Sequence, residues 1–110
     1  MGGAIGGIGL KSAYRTYRLL KTFKAPKHVK VTMSKIKNGA PPKGYKGGRI
    51  YHNKPKKRGH YRLPRKDSYR EYDVRPYIKG KNRGKERLVI GSKGRAYYTK
   101  NHYKTFKRVR

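Results

Sequence analysis

An α+β domain, with one or two N-terminal helices packed on a five-stranded antiparallel sheet, is what the order of patterns along this 110-residue chain predicts. Three observations carry the prediction. Apolar residues recur at helical spacing before residue 40, β-type segments crowd the stretch beyond Ser68, and short turn signals separate those segments. Links of that length make sequential strands antiparallel neighbours.

The elements follow in order. Over residues 10–23, Leu10, Ala13, Tyr14, Tyr17 and Leu20 fall on one helical face, while Lys11, Arg15, Arg18 and Lys21 gather on the other. This spacing predicts a basic amphipathic helix, read first as a helix packed on the domain and second as a membrane-surface helix. Val29, Met33 and Ile36 predict a shorter second helix that stops at Asn38-Gly39, ahead of Pro41 and Pro42. The stretch "KGYKGGRIYHNKPKKRGHYRLPRKD" then reads as turns around one short strand over residues 49–52. Four further strands are expected in "SYREYDV", "ERLVI", "RAYYT" and "KTFKRV", separated by "KGKNRG" and "GSKG".

Composition limits what such a domain does. A chain of this length supports one modest core, and Leu, Ile, Val and Phe are sparse in it. Eleven tyrosines supply the missing apolar area, provided that their rings bury and their hydroxyls find partners. With 33 Lys and Arg against 4 Asp and Glu, the formal net charge is +29, far beyond what solubility asks for. The natural partners of that field are polyanions: nucleic acid first, then anionic membrane, then an acidic protein.

Cysteine is absent, which excludes disulfides, thiolate metal sites and a cysteine nucleophile. "MGGAIGGIGL" lacks the basic flank and the apolar length of a signal peptide or a membrane span, so no stable membrane insertion is expected. Residues 1–9 read as a flexible Gly-rich leader, of the kind a cut linker in a longer polypeptide would leave.

Three of the four carboxylates, Asp67, Glu71 and Asp73, lie within seven residues of one another. Strand alternation puts Tyr69, Glu71 and Asp73 on one face and Arg70, Tyr72 and Val74 on the other, so Glu71 faces solvent or a cleft if Val74 faces the core. Glu71 then has three readings. It is a strand carboxylate paired with a cross-strand arginine, or part of a magnesium site for which only Asp73 offers a companion, or a general base.

The third reading needs no metal, because RNA carries its own nucleophile in the 2′-hydroxyl beside each phosphate. One base, one acid and cations on the phosphate suffice. His102, set among aromatic rings in "AYYTKNHYKTF", offers the acid, and Arg83 and Arg87 in "RGKER" stand four apart at the start of a predicted strand.

Wording and order sharpen this. "GGRIYHN", "LP", "YREYDV", "NRGKERLVIG" and "AYYTKNHYKTF" resemble, in sequence and approximate spacing, the small microbial ribonucleases typified by barnase. The resemblance covers roughly residues 39–110 and is close at the C-terminal end, the first helix and leader match in kind alone, and residues 10–110 are assigned to the ribonuclease domain. It implies Glu71 as general base, His102 as general acid, Arg83 and Arg87 as the phosphate clamp, Tyr103 as a substrate-lining ring, and a 2′,3′-cyclic phosphate product. It also implies a lysine from among Lys24, Lys27 and Lys30 reaching the phosphate, while a monomer that uses no cofactor or metal is expected, and the acid–base pair predicts a bell-shaped pH profile whose descending limb belongs to His102.

One departure bears on base choice. Guanine-preferring members read Phe-x-Asn-Arg-Glu at the base-recognition loop, whereas this chain reads Tyr51-His52-Asn53-Lys54-Pro55. The carboxylate is missing, so relaxed specificity is expected, with His52, Asn53 and Lys54 as the substrate-binding residues of that loop. The resemblance further implies a toxic C-terminal domain of a larger secreted bacterial polypeptide, acting in the cytoplasm of a target cell and neutralised by an acidic inhibitor. A non-catalytic RNA binder of ribosomal type is the alternative, and it would protect RNA rather than cut it.

Overall fold

The computed structural model describes residues 15–16 and 22–109. In chain order the elements are β1 (Arg15–Thr16), β2 (Thr22–Phe23), α1 (Lys27–Lys35), β3 (Gly47–Tyr51), β4 (Tyr61–Arg62), β5 (Tyr69–Tyr72), β6 (Arg87–Gly91), β7 (Ala96–Thr99) and β8 (Lys107–Val109). The class is α+β, as the sequence predicts.

Five strands form the expected antiparallel array, with spatial order β8-β7-β6-β5-β3. A sixth, β2, lies parallel to β8 through Thr22↔Arg108 and Phe23↔Val109, so the expectation of a five-stranded sheet is corrected to six. The helix predicted over residues 10–23 is likewise corrected at Arg15–Thr16 and Thr22–Phe23, which are strand; the rest of that prediction, and the leader, lie outside the described residues. The reason is tertiary. Without β2, β8 would present an open edge, and Phe23 in β2 instead stacks on Tyr98 with ring centroids 6.0 Å apart. Strand β1 pairs separately with β4, also in parallel.

Among the described residues there is one helix. Pro26 precedes its first turn, and its carbonyl accepts the N–H groups of Val29 and Lys30. No acidic residue occupies that turn, and nine residues are too few for independent stability, so packing holds the helix. Val29 is fully buried, and the Thr32 hydroxyl donates to the carbonyls of His28 and Val74, tying helix to sheet. The helix ends three residues before the predicted stop. Asn38 and Gly39, with φ of 53° and 75°, form a tight turn closed by the Lys37–Ala40 bridge, because two successive left-handed residues suit a hairpin turn better than a cap.

Both faces of the sheet are covered. On one, α1 packs over Tyr72, Val74, Leu88, Ala96 and Val109. On the other, Leu63 and Phe106 from flanking segments close over Tyr69, Val89 and Tyr97. Tyr69, Tyr72 and Tyr97 fill the core, and the Tyr69 hydroxyl donates to the Pro64 carbonyl at 2.7 Å, whereas the buried Tyr97 hydroxyl has no hydrogen-bond partner among the described residues.

On the helix side Glu86 joins three elements. It accepts from Tyr98 Oη at 2.7 Å and Arg75 Nε at 2.9 Å, and it meets His28 Nε2 at 2.8 Å. Burial disfavours the anion, but the hydrogen bonds from Tyr98, His28 and Arg75 outweigh it and bring the carboxyl down to about 2. A depressed carboxyl contributes stability that is present above its ordinary value of 4.5 and is lost as pH falls through about 2. Acid titrations of unfolding free energy should therefore slope downward across that window, and Glu86→Gln should flatten the slope by about 1–2 kcal/mol after allowance for solvent screening. An unchanged slope in the variant would remove Glu86 from this role.

Candidate active site

The apolar face of β5, β6 and β7 turns polar towards one end, and a cleft of about 610 Å³ opens there on the side away from α1. The pairing explains its floor. Glu71 lies opposite Val89, and Arg87 opposite Thr99, so Tyr69, Glu71, Val89 and Arg87 share the face that Tyr97 lines. Val74 is buried in the helix-side core, which leaves Glu71 on the cleft side, as alternation requires.

Glu71 is 7% exposed and Asp73 3%, a degree of burial that carboxylates tolerate only when partnered. Glu71 Oε2 accepts from Arg49 Nε at 3.0 Å, so the cross-strand pair of the first reading is present. Its Oε1 accepts from Tyr103 Oη at 3.2 Å and Arg83 Nη2 at 3.5 Å, and Arg87 Nε stands 3.7 Å away. Asp73 binds Arg83 with both oxygens, at 2.9 and 3.1 Å from Nε, and lies 3.2 Å from Arg87 Nε. The carbonyls of Gly84 and Glu86 accept from Arg87 Nη1 at 3.0 and 2.7 Å. Two guanidinium groups are thus held from beneath and aligned at the floor of the cleft. Among the described residues no three His, Asp or Glu side chains are grouped as metal ligands.

His102 enters from the loop between β7 and β8. Its own φ of 56° and the 73° of Tyr103 lie in the left-handed region, an uncommon conformation for residues with side chains. A local network over-determines it. Thr99 Oγ1 accepts from the N–H groups of Asn101 and Tyr103, while Asn101 bonds the side chain and N–H of Thr105. The Tyr103 ring stacks on Tyr51 at 4.9 Å and meets the edge of His102 at 4.7 Å. Partial desolvation by the cleft, then Arg87, Lys56 and Arg83, lower the His102 pKa below 6.5 although the residue remains largely exposed, and Glu71 opposes them. A histidine so placed, when protonated, is a stronger acid than an ordinary imidazolium, in the same cleft as a carboxylate and two arginines.

A ribonuclease family model matches residues 11–110, nearly the whole chain. The chain belongs to the microbial ribonuclease family. A search of curated proteins found no match. Endoribonuclease activity on an RNA substrate goes with membership of that family.

Within this ribonuclease, all eight residues singled out in the sequence line the same cleft: Glu71, Arg83, Arg87 and His102, with Tyr103, His52, Asn53 and Lys54. Asn53 has a task that the sequence does not reveal. Its side-chain amide donates to the Leu63 carbonyl at 2.7 Å and accepts from the Leu63 N–H at 2.8 Å, closing the loop between them. The side chain is therefore spent on loop geometry, with φ of 56° at Asn53 itself. None of Lys24, Lys27 and Lys30 lines the cleft; Lys54, Lys56, Lys57 and Lys104 do.

Two contributors escaped sequence reasoning in these roles. Asp73 was visible two residues beyond Glu71, on the same face, but its grip on both arginines follows from tertiary pairing. Arg49 became Glu71's partner through the β3–β5 register, which shifts at a bulge between Gly47 and Arg49.

Proposed function

We propose that this ribonuclease cleaves single-stranded RNA by metal-independent transesterification. Glu71 takes the proton from the 2′-hydroxyl, the 2′-oxygen forms a bond to phosphorus, and the bond from phosphorus to the 5′-oxygen breaks as His102 protonates that oxygen. The products are a 2′,3′-cyclic phosphate end and a free 5′-hydroxyl. Arg83 and Arg87 hold the phosphate where negative charge accumulates, Tyr103 lines the substrate site, and His52, Lys54 and the main chain at Asn53 border the base.

The observation that supports this reading is the convergence of His102, the buried Glu71 carboxylate and the Arg83 and Arg87 guanidinium groups, held by Glu71 and Asp73, in a single cleft. A binder that merely coats phosphates has no need of a buried carboxylate among its cations. Incubation with a defined RNA in EDTA should yield fragments with cyclic phosphate ends, while DNA of the same sequence stays intact for lack of a 2′-hydroxyl. RNA that survives, or is cut only when a divalent ion is added, would reject the proposal.

In its setting, the domain acts as a monomeric toxin released from a larger secreted bacterial polypeptide, cutting RNA in the target-cell cytoplasm and restrained in the producer by an acidic inhibitor. The net charge of +29 supports the inhibitor's chemistry, since opposite fields speed association. Among the described residues no helix is long and apolar enough to cross a membrane.

A further inference from the structure

Outside the cleft, the loop between β5 and β6 exposes a ring and an aliphatic side chain in succession, Tyr77 at 42% and Ile78 at 57%. Neither lines the cleft. The loop that carries them is pinned at two points. The Tyr77 N–H donates to the Gly44 carbonyl at 2.8 Å, and the Lys81 N–H donates to the Ile78 carbonyl at 3.0 Å across a turn in which Gly80 takes a φ of 83°. Among the described residues the Tyr77 ring meets one partner, Lys46, whose Nζ stands 4.3 Å from the ring centroid. Lys43, Lys46, Lys79 and Lys81 are all exposed. The patch is also tied to the phosphate clamp. The Lys46 carbonyl accepts from the Asp73 N–H at 2.9 Å, Asp73 holds Arg83 and Arg87, and the loop that carries Tyr77 goes on to deliver Arg83 to the cleft.

We propose that Tyr77 is a stacking platform for single-stranded RNA that extends beyond the cleft, taking a base of any identity on its ring face while Lys46 and the neighbouring lysines meet the flanking phosphates. The inference rests on RNA as the ligand of the adjacent cleft. Every base has a π-face, so an exposed ring among cations holds a single strand without reading its sequence. The pinned loop presents that ring in place, which lowers the ordering cost of binding. An acidic protein would also meet the charge, but one ring and one aliphatic side chain on a cationic loop give it little of the apolar centre that a protein interface uses. A base needs only the ring.

Deoxyoligonucleotides lack the 2′-hydroxyl, so they test binding without turnover. In calorimetric titrations at low ionic strength, Tyr77→Ala should bind a thymidine octanucleotide about tenfold more weakly than the wild type, and a thymidine dinucleotide equally well. Tyr77→Phe should match the wild type with both ligands, whereas Tyr77→Leu, apolar but without a ring face, should behave as Tyr77→Ala. Lys46→Ala should reduce the salt slope for the octanucleotide by about one counterion, a change that Tyr77→Ala should not make. Unchanged octanucleotide affinity in Tyr77→Ala, an equal loss with the dinucleotide, or wild-type affinity in Tyr77→Leu would each overturn the proposal. So would Tyr77 variants that weaken the binding of an acidic inhibitor and leave oligonucleotide binding intact. Should the affinities behave as expected while no RNA is cut, the platform stands and the catalytic reading falls.

Discussion

His102→Ala is expected to lower turnover on RNA by about 10²–10⁴, the worth of a positioned general acid, while leaving substrate affinity nearly intact. The split between kcat and KM matters because His102 is exposed and bonds the rest of the chain chiefly through its main-chain N–H to the Lys85 carbonyl. Its loss removes a proton donor and little structure. The pH profile provides the second readout. The acid must carry its proton, and its pKa lies below 6.5 because partial desolvation, Arg87, Lys56 and Arg83 all disfavour the cation. Cleavage should therefore decline on the alkaline side from a pH below that value, giving an acidic optimum. Lys56→Ala relieves one of those repulsions and should move the alkaline limb to higher pH. A variant at His102 with wild-type turnover, or a limb that moves downward in Lys56→Ala, would show that another group donates the proton.

Arg87→Ala should be comparably severe, at about 3 kcal/mol of transition-state stabilisation, or roughly a hundredfold in turnover. Arg87 is 4% exposed and stands 3.2 Å from Asp73 and 3.7 Å from Glu71, so its removal also withdraws compensation from two buried carboxylates. Arg83 still holds Asp73 through three hydrogen bonds, two from Nε and one from Nη2, which limits the stability loss to less than the roughly 3–5 kcal/mol of a fully broken buried pair. Arg87→Lys retains the charge but loses the fork that engages the Gly84 and Glu86 carbonyls on one side and phosphate on the other, so its turnover should fall between the two. Lys66→Ala supplies the contrast. Lys66 is exposed and does not line the cleft, so its loss should weaken RNA binding slightly and reduce the salt slope by at most about one counterion. Equal losses of turnover in Arg87→Ala and Lys66→Ala, measured across a salt series, would dissolve the distinction between a phosphate clamp and a general cationic surface.

Much of the scaffold was legible because its signals are local. Alternation in "YREYDV" sets Glu71 on the face away from Val74, and the Gly-containing links between β5, β6 and β7 predict their antiparallel order. The misreadings have local causes too. Asn38-Gly39 carries the same left-handed preference in a helix cap as in a tight turn, and only the Lys37–Ala40 pairing decides which one forms. Thr22 and Phe23 fall at the end of the predicted helix, yet an unfilled sheet edge and the Tyr98 ring draw them into a strand.

By itself, the sequence determined the α+β class, the attraction to polyanions, and the residue types for acid–base cleavage, since charge, side-chain period and chemical identity belong to each residue wherever the chain goes. Only the tertiary structure decided that Asp73 aligns both arginines, that Arg49 pairs with Glu71, that Asn53 spends its amide on Leu63, and that loop lysines rather than helical ones reach the cleft. Those are distances between segments remote in the chain. They are set by strand register and packing, which no short window of residues specifies.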